Sequence, residues 1–236
     1  FGRRRIAGDQ PQRHAQAGHV GALRAIYRLD VDLAERHLAE FQRLADEVGI
    51  PWHGANVAGL RVTLRLIIGD AAAAERLAAE TAERYHALGF HGRGLHFEVT
   101  RAEALWALGR RDEAAALWRQ CEPAHRAEGG ATAALACGLR LAEHRALGGD
   151  LAGAAHAVRA ERPALDEPDA LRGAEFPQEA RLAAWRVLFA AGDPAAARQL
   201  ELARADVDSF LASFAESDVR ERVRTGTPWV RAVERA

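Results

Sequence analysis

The chain has 236 residues, 49% of them hydrophobic, and its 32 basic and 33 acidic side chains leave a net charge of −1. That length supplies one large domain or one elongated array, and the balanced charge argues against a nucleic-acid surface, which would carry a basic excess. Alanine is abundant while β-branched and aromatic residues are sparse, so helix is expected over sheet.

The chain contains no lysine and no methionine, and Asn56 is its only asparagine. A GC-rich coding sequence is the simplest cause. The missing initiator methionine implies a piece of a longer protein, with residues 1–16 the frayed remnant of an earlier repeat. Arg3–Arg5 are not followed by an apolar stretch, and the apolar run Leu60–Ile68 is broken by Arg61 and Arg65. Neither a signal peptide nor a membrane span is expected. With Cys121 and Cys137 the only cysteines, no disulfide framework forms, and a cytoplasmic setting is expected.

In chain order, one local pattern recurs. "YRLDVDLAERHL" holds Asp30 and Ala34, and "IIGDAAAAERL" holds Gly69, Asp70 and Ala74. "LGRRDEA" then places Gly109, Asp112 and Ala114; "ALGGDLAGAAHAV" places Gly149, Asp150 and Ala154; "AAGDPAAARQL" places Gly192, Asp193 and Ala197. The five alanines fall at intervals of 40, 40, 40 and 43, which marks a repeat array. The copies are 17–50, 51–90, 91–129, 130–172 and 173–216, with 217–236 as a C-terminal cap.

Each copy reads as two helices joined by a tight turn. In the third, helix A covers about Gly94–Leu108 and helix B about Asp112–Ala127, each with an apolar stripe. Glycine ends helix A because it accepts the left-handed conformation. Asp30, Asp70, Asp112, Asp150 and Asp193 are placed to cap the second helices, and Pro194 suits a first turn. "EVGIPWHG", "ALGFHGRG", "RAEGGAT" and "ALDEPDALRGAEFPQ" read as looser linkers between copies. The expected fold is all-α, an α-solenoid of about five antiparallel helix pairs. In the tail, Pro228 opens a short helix whose Trp229, Val230 and Val233 share one side, so this segment is expected to seal the fifth copy.

The turn glycine, the acidic residue and the alanine five positions after the glycine, then large residues as at Leu117 and Trp118, resemble tetratricopeptide repeats. The forty-residue period departs from that family's thirty-four, and the first copy has Leu29 where the turn glycine belongs. The tail, with Phe210-Leu211, Arg220, Arg222 and Trp229, resembles the ends of repeat arrays in large bacterial ATP-binding transcriptional regulators and multidomain nucleotide cyclases. The resemblance implies a concave face lined by the A helices. On it Thr63, Glu103, Glu143 and Arg186 fall on comparable exposed turns, with His96 and Trp106 near that row.

Catalytic motifs are missing. Without lysine there is no phosphate-loop lysine and no Schiff base, and Ser209, Ser213 and Ser217 lack the glycines of a nucleophile elbow. Cys121 and His125 lie four apart, but a packed cysteine beside a surface histidine is the plainer reading. His53, His86, His91 and His96 sit in or near linkers, without the tight spacing of a metal site. Glu103 and Glu143, one repeat apart, read as ordinary exposed glutamates, and Trp52, Trp106, Trp118 and Trp185 as packing residues. The expected function is therefore non-enzymatic: a protein-interaction and regulatory scaffold, part of a larger bacterial signalling or transcription-regulatory protein. Its groove would take a protein or peptide partner, or upstream domains of the same chain, without cofactor, metal, nucleic acid or membrane. The alternative is a small-molecule effector sensor controlling an attached ATPase or cyclase.

Overall fold

A computed structural model describes residues 9–49, 51–167, 169–174 and 176–236 of the protein. Residues 1–8, half of the segment expected to fray, lie outside the described residues, while Asp9 already begins the first helix. Among the described residues there are twelve helices and no strand. They are α1 (Asp9–Tyr27), α2 (Val31–Val48), α3 (Pro51–Ile67), α4 (Ala71–Ala87), α5 (His91–Ala107) and α6 (Arg111–Ala127). There follow α7 (Ala131–Leu147), α8 (Leu151–Leu165), α9 (Pro177–Ala190), α10 (Ala196–Ala212), α11 (Ser217–Gly226) and α12 (Pro228–Glu234). Consecutive helices pack neighbour to neighbour, which gives an all-helical, repeat-like bundle compatible with a solenoid.

The punctuation is more regular than the pattern of copies suggests. Gly49, Gly69, Gly89, Gly109, Gly129 and Gly149, spaced twenty apart, all take positive φ between 66° and 97°. The linkers around Gly89 and Gly129, expected to be loose, are as tight as the hairpin turns. Phe90 N–H bonds Tyr85 O at 2.9 Å, just as Arg110 N–H bonds Leu105 O at 2.9 Å. A left-handed glycine closes the last turn with such back-bonds and lets the next helix start at once. Only the connection between α8 and α9 is long. Arg181, fully buried on α9, holds it by donating to Leu165 O at 3.0 Å and Glu167 O at 3.2 Å.

Leu29 occupies the matching turn position with φ 53°, the one positive-φ residue among those described that is not glycine. Its side chain packs both against the α1–α3 core and against the C-terminal cluster of α10–α12. The leucine is strained locally but ties two distant parts of the chain together.

Three of the expected caps form: Asp30, Asp70 and Asp150 accept from Leu33, Ala73 and Gly153 N–H at 3.1, 3.2 and 2.9 Å. Asp112 does not cap. It stands three residues after its glycine instead of one, so α6 has already begun, and its carboxylate meets His144 at 2.9 Å. Asp193 bonds Ala195 N–H at 2.9 Å, but the turn through Pro194 delays α10 until Ala196. That delay shifts the fifth register. Ala34, Ala74, Ala114 and Ala154 are completely buried, whereas Ala197 is exposed and Ala196 takes the inward place.

The tail contains two helices, not one. Val219 and Val223 give α11 an apolar side that is buried beside α12. Trp229, Val230 and Val233 of α12 pack with Leu182 of α9 and with Val207, Leu211 and Phe214. The last core is thereby covered by its own chain.

Candidate functional site

The residues expected along a concave face divide into three groups. Glu103 and Trp106 of α5, Glu143 of α7 and Arg186 of α9 meet around Arg140, a residue that no motif singles out. Arg140 is 2% exposed and clasps Glu103 with Nε at 3.1 Å and Nη2 at 2.9 Å. Its Nη1 reaches Glu143 at 2.6 Å, and Glu143 in turn accepts from Arg186 at 2.8 Å. The guanidinium also stacks on Trp106 and Trp118, 4.6 and 5.0 Å from the ring centroids. Glu103 and Glu143 are therefore not exposed glutamates. They neutralise a buried arginine, because a charge taken out of water needs paired, hydrogen-bonded partners. The available signal was Arg140 itself, one helical turn before Glu143.

Burial pushes the Glu103 carboxyl up to about 7, opposed by Arg140 and reinforced by the neighbouring Glu179 and Glu143. His96 borders this cluster, on a small cavity of about 40 Å³ that Glu103 and Arg140 also line. Trp118 Nε1 and His125 Nε2, both on that cavity's wall, are buried without a hydrogen-bond partner. His125 is thus buried and not at the surface, and burial lowers its pKa. Burial also pushes the Cys121 thiol up to about 12, which removes the thiolate that nucleophilic chemistry needs. Trp118 is fully buried, but Trp52 is 44% exposed and stacks on His53 with centroids 4.1 Å apart. His86 and His91 approach to 3.4 Å, and no group of three or more metal-ligating residues forms among the described residues.

Thr63 lies elsewhere, on a cavity of about 620 Å³ where the two ends of the chain meet. Tyr27 of α1, Ile67 of α3, Phe176 before α9, Phe210 of α10 and Trp229 of α12 supply apolar walls. The ends are joined by several contacts. Arg28 donates two hydrogen bonds to Glu216, at 3.2 and 2.9 Å. Tyr27 and Phe210 meet edge to face at 6.1 Å, and Phe210 packs on Trp229 at 5.0 Å. A Cβ added at Gly226 would come within 2.5 Å of Leu29 Cδ1, so any larger residue there would make the Leu29 side chain shift. Arg220, one of the tail arginines, donates to Phe214 O at 2.6 Å and Ala215 O at 3.0 Å and fixes the turn into α11. Sequence spacing alone gave no sign of this cavity, because its walls come from residues about 200 positions apart.

No family model, curated protein or solved structure matches the chain. No helix among the described residues is long and apolar enough to cross a membrane.

Proposed function

We propose that the chain is a regulatory binding module that senses a small-molecule effector. It would be a tetratricopeptide-like array of five helix pairs, belonging to a larger bacterial signalling or transcription-regulatory protein. The observation that carries this reading is the half-open cavity of about 620 Å³ between the last turn of α1, α3 and the C-terminal helices. Such a volume lies within the ~300–1,000 Å³ of small-molecule sites, and its apolar walls with a few polar groups suit that use. An extended peptide would need a continuous open groove, whereas here α10 and α12 wall this end of it.

A ligand held between the ends would stabilise the closed arrangement in proportion to its affinity for that state, and this is how occupancy would reach an attached domain. The module is read as non-enzymatic and cytoplasmic, without a resident cofactor or nucleic-acid contact. The buried, fully paired Arg140 cluster supports a structural role for the groups that looked most like an acid–base pair.

Protein docking is a second reading, favoured by one surface feature. Leu108, Leu147 and Phe189, just after α5 and at or near the ends of α7 and α9, are 41, 56 and 67% exposed. Melting the chain in the presence of a metabolite panel and a peptide panel separates the two. The effector reading predicts stabilisation by small molecules, abolished when Thr63→Trp fills the cavity. Stabilisation by peptides alone, indifferent to Thr63→Trp and removed by Phe189→Ser, would favour docking instead.

A further inference from the structure

The charges on the cavity wall narrow the chemistry of its ligand. Three charged groups line it: Arg24, Arg28 and Glu216. Arg28 and Glu216 neutralise each other through two hydrogen bonds. Arg24 lies one turn earlier on α1, and the nearby Glu216 feels its charge, but Glu216 spends its hydrogen bonds on Arg28. The cavity therefore carries one surplus positive charge beside the aromatic surfaces of Tyr27, Phe210 and Trp229. Thr63 offers little competition for an anion, because its hydroxyl donates back to Gly59 O at 3.2 Å.

Resting on the effector reading above, we infer that the ligand is an organic monoanion, a carboxylate carried on an apolar or aromatic body. Arg24 receives the carboxylate and the aromatic walls receive the body. The planar guanidinium fork matches a carboxylate with two parallel N–H···O bonds, and Arg24 is exposed at the cavity rim, free to turn toward it. A cationic ligand would meet Arg24 and Arg28 on the wall itself, where Glu216 is the one carboxylate; Asp30 and Asp218 act on Arg28 from outside the lining. A neutral apolar ligand would leave Arg24 without an anion.

Three matched probes test this on the intact chain at pH 7: 2-naphthylacetate, its neutral amide, and 2-naphthylmethylammonium. Binding is followed by calorimetry and by tryptophan fluorescence. The acid should bind at least ten-fold more tightly than the amide, and the ammonium most weakly. Arg24→Gln should bring the acid to the affinity of the amide while leaving the amide unchanged, and raising salt should narrow the gap in the parent protein. Equal affinity of acid and amide in the parent protein would overturn the inference while leaving the cavity a binding site. Binding by none of the three also overturns it, and the effector reading then stands or falls separately on the Thr63→Trp comparison.

Discussion

Arg140 grips Glu103 through two N–H groups, at 3.1 and 2.9 Å, across the face between α5 and α7. The pair is extended by Glu143 and Arg186, so three successive odd-numbered helices are cross-linked by charge. Removing the central arginine leaves Glu103 without its partner and Glu143 with Arg186 alone. Arg140→Ala should cost ~3–5 kcal/mol in urea unfolding, since breaking a buried pair strands the remaining charge. Arg140→Met combined with Glu103→Gln and Glu143→Gln should cost much less, because no buried charge is left unpaired. Equal losses in the two variants would mean that packing, and not charge, holds this interface.

The same cluster sets a pH dependence. Burial raises Glu103 from 4.5 to about 7 in the folded chain, so folding takes up a proton there. The stability linked to Glu103 is complete below about 4.5 and is lost as the pH rises through about 7. The buried His53 and His125 act in the opposite sense. Burial lowers both below 6.5, so their contribution is present above that pH and lost as the solution turns acid. Glu103→Gln isolates the first effect. The stability difference between variant and parent should change steadily across the window from 4.5 to 7, in favour of the variant at the higher pH. A difference independent of pH would show that Glu103 titrates near its ordinary value.

The inward alanines supply a test of register. Ala114 is completely buried between helices, so Ala114→Leu should overpack that site and cost ~1–3 kcal/mol. In the fifth repeat-like segment the buried position is Ala196, and Ala197 faces solvent. Ala196→Leu should therefore destabilise like Ala114→Leu, while Ala197→Leu changes stability by less than ~0.5 kcal/mol. The reverse order in thermal melting would restore the regular alanine spacing and contradict the delayed start of α10.

Two glycines should respond with opposite signs. Gly109 has φ 78°, where any side chain is strained, so Gly109→Ala should cost ~1–2 kcal/mol. Gly138 lies inside α7 with nothing within 4 Å of an added Cβ, so Gly138→Ala should stabilise by ~0.5–1 kcal/mol. Losses of similar size in both would show that Gly138 serves close packing instead.

Much of the architecture was legible because it depends on local chemistry. Turn glycines, the cap at Asp70 and the apolar stripes act within a few residues, and sequence spacing reports such effects directly. The finer twenty-residue rhythm of Gly49 to Gly149 is also written in the sequence, alternating between hairpin turns and the turns between copies. Asp112 and Ala197 misled because an insertion of one or two residues changes which side chain reaches a cap or a core. The candidate site was far less legible. Glu103 and Glu143 look like surface residues until Arg140 is placed between them. The larger cavity depends on Tyr27, Phe210 and Trp229, which meet only when α1 reaches the C-terminal helices, and no local rule brings such distant segments together.

That closure is the central claim, and amide hydrogen exchange in a Trp229→Ala variant tests it most directly. Trp229 is 8% exposed and sits among the residues that join α10 and α12 to Leu29. Truncating the indole should cost ~3–5 kcal/mol and loosen the end-to-end contact. The account predicts that protection falls in two separate places, at residues 207–234 and at residues 23–30, while α5 and α6 exchange as in the parent. Faster exchange confined to residues 176–236, with residues 23–30 as protected as before, would contradict the closed arrangement and the cavity that it creates.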